Sequence, residues 1–425
     1  MSEAANPPDA DNTELFLGRQ PILGRDQQLS AYELLFRSGG LAGGAEVADA
    51  TQATATVIAN AFTEFGVGDA LGPYRGYINV DHDFLFSDVI EMLPQQAVVL
   101  EILETVEPSE AVLARCQHLR ALGFTLAVDD VIRADASYRP LLELAEIIKV
   151  DVMQLSPAEL RALVLQLKPL GKKLLAEKVE TAQQMEFCRS LGFELFQGYF
   201  FARPTIIAGK RLSPSHVTLL RLLALLMEDA DTSEIERAFK LEPGLTVNLL
   251  RLTNSVGSGM SVRIASLRHA IAVLGRRQLQ RWLQLLLYTN PKGGEHAVSP
   301  LMQLAATRGR LMELLAEKSS PGKRELADQA FLVGIMSLMP TLLSVAMNDI
   351  LEQLPVPLSV AQALSAGEGS LGTMLELTEA IEGGEVAAVE TALRRLPGLR
   401  PRDVNLALAQ ALAWANSLGV DSTIQ

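Results

Sequence analysis

The chain has 425 residues, 48% of them hydrophobic and 20% charged, the balance of a globular protein long enough for two or three domains with separate cores. A net charge of −13 and an isoelectric point near 5.0 argue against a duplex-binding surface, which needs clustered Lys and Arg to meet phosphate. Cys116 and Cys188, the two cysteines, lie far apart in sequence, so no disulfide framework or zinc cluster is expected and a reducing cytoplasm fits.

Residues 1–13 are polar and acidic, without a basic start or an apolar core, and read as a disordered tail instead of a signal peptide. From Leu15 to Leu35 the pattern is strand, turn, strand, with Gly24-Arg25-Asp26-Gln27 as the turn of a hairpin. A Gly-rich loop, Ser38–Gly44, and a helically spaced stretch, Val47–Phe65, follow. Short apolar runs then alternate with amphipathic ones. Tyr77–Val80 precedes a helix over Phe84–Met92, Val98–Ile102 precedes Ser109–Leu122, and Thr125–Asp130 precedes a segment ending near Ala145. Ile147–Asp151 is followed by Pro157–Leu167, Lys173–Val179 by Thr181–Leu191, and Leu195–Phe201 closes the series. With both hairpin arms this makes eight strands. The pattern predicts a modified β/α barrel with one antiparallel strand, and the missing Gly-rich phosphate loop disfavours an open doubly wound sheet.

Beyond Arg203-Pro204 the strand pattern stops, and Leu212-Ser213-Pro214-Ser215 marks a boundary. Helical periodicity runs from His216 to Ser417, through Leu219–Met227, Ser233–Phe239, Leu245–Thr253, Ile264–Leu274, Gln278–Leu287 and Leu301–Ala316, so the second half is all-α. The apolar run Ala330–Met347 reaches the length of a membrane span. Pro340 would break a helix there, which favours two buried helices joined at Pro340 over membrane insertion.

Several apolar runs end in polar groups that cannot be buried unpaired: Glu33, Asn79, Glu101, Asp129, Asp130, Lys149, Glu177 and Gln197. In a barrel such strand ends gather around one axis. Glu33, Asn79, Glu101, Asp129 and Asp130 then form a set of hard oxygen donors suited to Mg²⁺, Mn²⁺ or Ca²⁺. Two such ions can hold a water and a phosphodiester together. Lys149 would position water, Glu177 act as base or metal-site group, and Gln197 orient the nucleophile. Each has an ordinary alternative: a strand-end carboxylate is usually solvated or caps a helix, and Lys149 can simply pair with Asp151 or Glu177. His82-Asp83 has no second His nearby and reads as a loop. Cys116 and His118 read as packing or surface residues of a helix.

The segments Arg19-Gln20-Pro21-Ile22, Tyr32-Glu33-Leu34-Leu35-Phe36-Arg37, Ile78-Asn79-Val80, Leu100-Glu101-Ile102-Leu103-Glu104, Asp129-Asp130, Ile148-Lys149-Val150-Asp151, Ala176-Glu177-Lys178-Val179-Glu180-Thr181 and Gln197-Gly198-Tyr199-Phe200 resemble, in order, those of EAL domains. These are bacterial phosphodiesterases or receptors for cyclic di-GMP. The resemblance implies metal ligation by Glu33, Asn79, Glu101, Asp129 and Asp130. It implies catalytic roles for Lys149, Glu177 and Gln197, nucleotide contact by Gln20 and Arg37, and support from Glu104 and Glu180. Two departures stand out: Val131-Ile132-Arg133-Ala134 replaces the usual Phe-Gly-Thr-Gly after Asp130, and Lys178 replaces a usual Gly.

The second half resembles an HDOD domain through Leu241-Glu242-Pro243-Gly244-Leu245-Thr246, Leu249-Leu250-Arg251-Leu252-Thr253-Asn254-Ser255, Ile264-Ala265-Ser266-Leu267-Arg268-His269-Ala270-Ile271 and Leu274-Gly275. Gly334-Ile335-Met336-Ser337-Leu338 stands where a related hydrolase carries its His-Asp pair. Asn254-Ser255 reads as a helix-end turn. The expected division is a tail at 1–13, an EAL-type barrel over 14–204, an HDOD domain over 205–400, and a C-terminal helix and tail over 401–425.

Two readings from different classes follow. In one, a cytoplasmic signalling protein binds cyclic di-GMP and hydrolyses it to the linear dinucleotide with two Mg²⁺ or Mn²⁺ ions, its HDOD module contacting protein partners. In the other, the barrel is a catalytically inactive receptor or scaffold acting only through protein contacts. The resemblance also allows a homodimer, and neither reading calls for a nucleic-acid duplex or membrane insertion.

Overall fold

A computed structural model describes residues 15–38, 71–202, 214–241, 266–288 and 299–420, with residues 245, 246, 248, 249 and 253. The expected tail, the Gly-rich loop after Ser38, the helix over Val47–Phe65, the boundary at Arg203-Pro204, most of Leu245–Thr253 and the Asn254-Ser255 turn lie outside these residues. The chain divides into two compact units, one running to Phe200 and taking in Glu376–Ser417, the other covering Phe201–Leu375 and the chain from Leu418.

In the second unit the described elements are α-helical: α6 (Pro214–Met227), α7 (Thr232–Phe239), α8 (Leu267–Leu286), α9 (Pro300–Ser319), α10 (Arg324–Met336), α11 (Met339–Leu343), α12 (Met347–Leu351) and α13 (Leu358–Ala366). Gly275, at φ 76°, kinks α8. Where α9 and α10 meet, a Cβ on Gly334 would lie 2.7 Å from the Arg308 carbonyl and the Gly309 Cα, so only glycine lets the two backbones approach this closely. Buried Glu313 of α9 ties that helix to α8, accepting from Arg277 and Arg281 of α8 and, within α9, from Arg310 at 2.7 Å. Arg277 Nε also donates to Asp328 of α10 at 2.6 Å. The run expected to break at Pro340 breaks earlier, after Met336, and Pro340 lies in the first turn of α11, where its missing N–H breaks no helical bond. Arg324–Leu343 is long and apolar enough to cross a membrane by length and composition, and 61% of its 18-residue apolar window is buried within the fold.

In the first unit β1 (Leu15–Gly24) and β2 (Leu29–Ser38) form the expected hairpin. Then come β3 (Arg75–Val80), β4 (Val98–Ile102), β5 (Thr125–Val128), β6 (Ile147–Asp151), β7 (Lys173–Glu177) and β8 (Leu195–Gln197). Between them lie α1 (His82–Phe86), α2 (Glu110–Ala121), α3 (Arg139–Leu144), α4 (Pro157–Leu167) and α5 (Ala182–Leu191). Later in the chain α14 (Gly369–Gly383), α15 (Val386–Arg394) and α16 (Pro401–Val420) follow. The eight strands pair in chain order and close into a barrel. Pairing is parallel from β2 to β8, while β1 runs antiparallel to both neighbours.

Local chemistry sets the helix starts. Ser156 with Glu159 and Thr181 with Gln184 form capping boxes on α4 and α5, each satisfying backbone donors that the first turn leaves free. The Asp81 carboxylate accepts from Phe84 N at 2.8 Å and starts α1 earlier than expected, so His82-Asp83 lies in a helical first turn, exposed, and is not a loop. The helix expected over Phe84–Met92 is two pieces, because Ser87 is extended and caps a short 3-10 turn over Asp88–Met92.

Inside the barrel, Ile22, Ala31, Tyr77, Val99, Ala127, Ile147 and Leu175 form one buried cluster against which Leu195 packs. Side chains two residues apart on a strand share a face. Stepping two residues toward the carboxyl end gives Glu33, Asn79, Glu101, Asp129, Lys149, Glu177 and Gln197; on reversed β1 the step runs backward, from Ile22 to Gln20. The polar layer is thus the next layer of the same interior, raised on an apolar floor.

Gly198 fixes the last strand end. Its φ is +138° and a Cβ there would lie 2.1 Å from Val179 O, in the segment where Val179 N donates to Gln197 O at 2.9 Å and Phe200 N donates to Val179 O at 3.2 Å. Gly198→Ala is expected to destabilise the barrel by about 3 kcal/mol, read as a lower midpoint of its unfolding transition in urea while the helical unit's transition stays in place.

Candidate active site

Lys149 is fully buried on β6, and its ammonium sits among four carboxylates. It pairs with Glu101 of β4, with Glu177 of β7 at 2.7 Å, with Asp129 after β5 at 3.2 Å and with Glu33 of β2 at 3.4 Å. Gln197 Nε2 donates to Glu33 at 2.6 Å and to Gln20 Oε1 at 2.9 Å, and Asn79 Nδ2 donates to Glu33 at 3.3 Å. The barrel therefore brings together Gln20, Glu33, Asn79, Glu101, Asp129, Lys149, Glu177 and Gln197. Of the two bland partners for Lys149, Glu177 pairs with it and Asp151 does not.

One ammonium cannot balance four buried carboxylates, so some keep their protons. Burial pushes the Glu101 carboxyl well above its ordinary range, and neighbouring Glu33, Asp129 and Glu177 add to this against the pull of Lys149. Burial likewise raises Glu177 to about 8. Against the cost of burial, Lys149 holds Asp129 below the usual carboxylate value. Burial also disfavours the Lys149 charge, but the surrounding carboxylates outweigh it and raise its pKa well above normal.

Asn79 Oδ1, Glu101 Oε2 and Glu177 Oε2 are buried and accept no hydrogen bond from any described residue. Orphaned acceptors in a buried site are costly unless something positive meets them. Glu33, Glu101 and Glu177 can each bring a carboxylate oxygen within 4.8 Å of the others. Oxygen donors without His or Cys match a hard divalent cation, so the residues present fit Mg²⁺ or Mn²⁺.

A second acidic group lies at the mouth, where oxygens of Glu104, Asp129 and Asp130 approach within 4.8 Å of one another. Asp130 has φ +43°, and burial together with Asp129 raises its pKa. Glu104 is exposed, and its carbonyl accepts from Tyr138 Oη at 3.0 Å. Glu180 is half-buried beyond β7, and its N–H donates to Gln184 Oε1 at 2.9 Å. Arg37 lies in β2, its side chain outside the described residues. In the unusual loop, Val131 is buried and its N–H donates to Lys149 O at 2.9 Å, Ile132 is exposed, and Arg133 pairs with Asp135. Cys116 is buried on α2, and His118 on the same helix lies 3.4 Å from Glu91.

Two residues without an assigned site role from sequence complete the mouth. Asp151, buried at the end of β6, accepts from Met153 N and Gln154 Nε2 at 2.8 Å. Lys178, at φ +55°, places its ammonium 2.5 Å from Asp151 Oδ2 and 3.5 Å from Asp130 Oδ1. The available signal was Lys178 itself, standing at a position where the resembling family carries glycine.

A closed barrel with its first strand reversed and an acidic layer at the strand ends defines the EAL class of domain. An EAL domain model matches residues 9–204 and an HDOD domain model matches residues 212–366. The chain is 32% identical over 408 residues to the cyclic di-GMP phosphodiesterase CdgJ of Vibrio cholerae, covering 95% of this chain and 93% of that one. It is 32% identical over 374 residues to the uncharacterized protein YuxH of Bacillus subtilis, covering 87% and 90%. A solved complex of the PaMucR phosphodiesterase with c-di-GMP is similar at 24% identity and a TM-score of 0.37, over 45% of this chain and 96% of that one. The chain belongs to the family of proteins in which an EAL domain is followed by an HDOD domain.

The raised carboxyl groups set a pH dependence. Folded Glu177 keeps its proton up to about 8, whereas the unperturbed value is 4.5; Glu101 shifts in the same direction. The folded state then binds more protons than the unfolded state across that interval, so its stability is complete below 4.5 and falls as pH rises toward 8. In chelator, the barrel's unfolding free energy is expected to drop by about 2–4 kcal/mol over this window. Glu177→Gln should flatten part of the slope in denaturant titrations at stepped pH.

Proposed function

We propose that the barrel binds cyclic di-GMP across the carboxyl ends of its strands and hydrolyses it to the linear dinucleotide with Mg²⁺ or Mn²⁺. The carrying observation is the set of buried, unsatisfied oxygens on Asn79, Glu101 and Glu177 around a lysine–carboxylate cluster. Glu33, Asn79, Glu101 and Asp129 would hold the ion, with Asp130 at the mouth and Glu104 and Glu180 in support. Gln20 and Arg37 would contact the nucleotide. A divalent ion bound here supplies Lewis acidity to the phosphodiester and a more acidic water.

The chain's own residues do the rest. Gln197 and Asn79 donate to Glu33 and fix its carboxylate. Lys149 offsets part of the cluster's negative charge and orients Glu101, Asp129 and Glu177 from beneath. Glu177, whose pKa burial raises to about 8, is suited to take a proton from the attacking water once it has given up its own. The water oxygen bonds to phosphorus, one P–O ester bond breaks, and the departing sugar oxygen gains a proton. The HDOD half serves as the output module toward protein partners: among the described residues, groupings of His, Cys, Asp and Glu able to hold a metal occur only in the barrel. A cytoplasmic location is supported by two free, buried thiols. Homodimerisation through the barrel belongs to the same proposal.

The receptor reading is favoured by one specific observation, the contact of Lys178 with Asp130 and Asp151 at the site mouth. The deciding experiment incubates the purified full chain with cyclic di-GMP and Mn²⁺, beside Glu33→Ala. Metal-dependent release of the linear dinucleotide is expected from the parent, with turnover at least roughly 100-fold lower in the variant. Binding without turnover would leave the receptor reading standing, and neither binding nor turnover would sink both.

A further inference from the structure

We propose that Lys178 acts as a tethered cation at the site mouth, so that the barrel loads one exchangeable divalent ion instead of two. This rests on the metal-binding reading above and concerns how many ions this chain admits.

The two acidic groupings have no residue in common and meet different ammonium groups, although Asp129 of the outer one also lies 3.2 Å from Lys149. Lys149 lies beneath the inner set, and Lys178 lies against the outer one, 2.5 Å from Asp151 and 3.5 Å from Asp130. Lys149 leaves the inner oxygens of Asn79, Glu101 and Glu177 buried without a hydrogen-bond partner. The outer position differs: one of its carboxylates, Asp130, already has a positive partner in Lys178, just past the end of β7. The contact is geometrically defined on both sides. Asp151 is buried and held by Met153 N and Gln154 Nε2, each at 2.8 Å. Hydrogen bonding and charge from Lys178 hold Asp151 below the usual carboxylate value against the cost of burial.

The backbone gives an independent indication. Lys178 and Asp130 have φ +55° and +43°, the left-handed region in which side-chain-bearing residues are disfavoured relative to glycine. The fold keeps Lys at 178 despite that preference, and its amine reaches the two acidic strand ends. A divalent ion brought to Asp130 would meet an ammonium on the same carboxylate, and like charges at such separations repel strongly in a partly buried site. The reaction would then proceed with one metal and a fixed positive charge, in place of a second metal.

The test is Mn²⁺ stoichiometry on the full-length protein, by calorimetry and by electron paramagnetic resonance of bound Mn²⁺. The parent is expected to take up one ion per chain. Lys178→Gly and Lys178→Met are both expected to take up two, with the spectral broadening of a coupled Mn²⁺ pair. Two ions in the parent, or one in both variants, would overturn the proposal. Two in the glycine variant but one in the methionine variant would also overturn it, because backbone freedom and not charge would then control the site. No ion in any form would remove the metal-binding reading itself, a result distinguishable from each of these. Glycine relaxes the backbone at this position, so loss of folding is not expected to obscure the comparison.

Discussion

A single ammonium held inside a barrel among four carboxylates sets the terms for everything above it. Lys149 is fully buried, and a charge so placed persists only with opposite charge in contact. The four carboxylates in turn tolerate one another only because of Lys149 and because Glu101 and Glu177 retain protons. Removing the lysine would leave a cluster of like charge in low dielectric; removing one acid would leave the others oriented. The interaction is therefore asymmetric, with the lysine as keystone and the acids as adjustable donors. Packing beneath, from Tyr77, Val99, Ala127, Ile147 and Leu175, keeps water from reaching the cluster from below.

Much of this was legible in the sequence, for a reason rooted in strand geometry. A parallel strand covered on both faces is a short apolar run, and a polar residue at its end has one permitted direction, toward the opening. The runs ending at Asn79, Glu101 and Asp129 therefore announced both strand and site. The inward face was also available, since Ala31 and Glu33, or Ile147 and Lys149, differ by two residues. Sequence could not give the contact of Lys178 with Asp151, because that depends on a left-handed backbone at one residue and a strand end 27 positions earlier. Nor could local periodicity reveal that Glu376–Ser417 groups with the barrel residues, since periodicity marks which face of a helix is buried and not what it is buried against. The start of α1 at His82 rests on the Asp81 cap, a single local bond that hydrophobic periodicity does not register.

The helical unit follows a different logic. Where a related hydrolase would carry a His-Asp pair, Gly334 presses against the Arg308 backbone, and the polar groups nearby are engaged in joining helices. Glu313 receives three arginines and is buried. Such a network fixes helix register and supplies no open coordination position.

The seam where the barrel closes bears on how the protein comes to exist. β1 meets β8 through three residue pairs, Ile22 with Gln197, Leu23 with Phe196 and Gly24 with Leu195. The bonds from Gln197 to Gln20 and Glu33 join residues 177 and 164 positions apart. Contacts of such sequence separation form late, because the intervening chain must be ordered first. During synthesis, the hairpin that holds Glu33 emerges long before the strand that orients it, and the growing chain holds an unfinished acidic cleft until its eighth strand leaves the ribosome. Assembly of the site and closure of the barrel are thus a single event, which makes an intact cluster a built-in certificate that the barrel has closed.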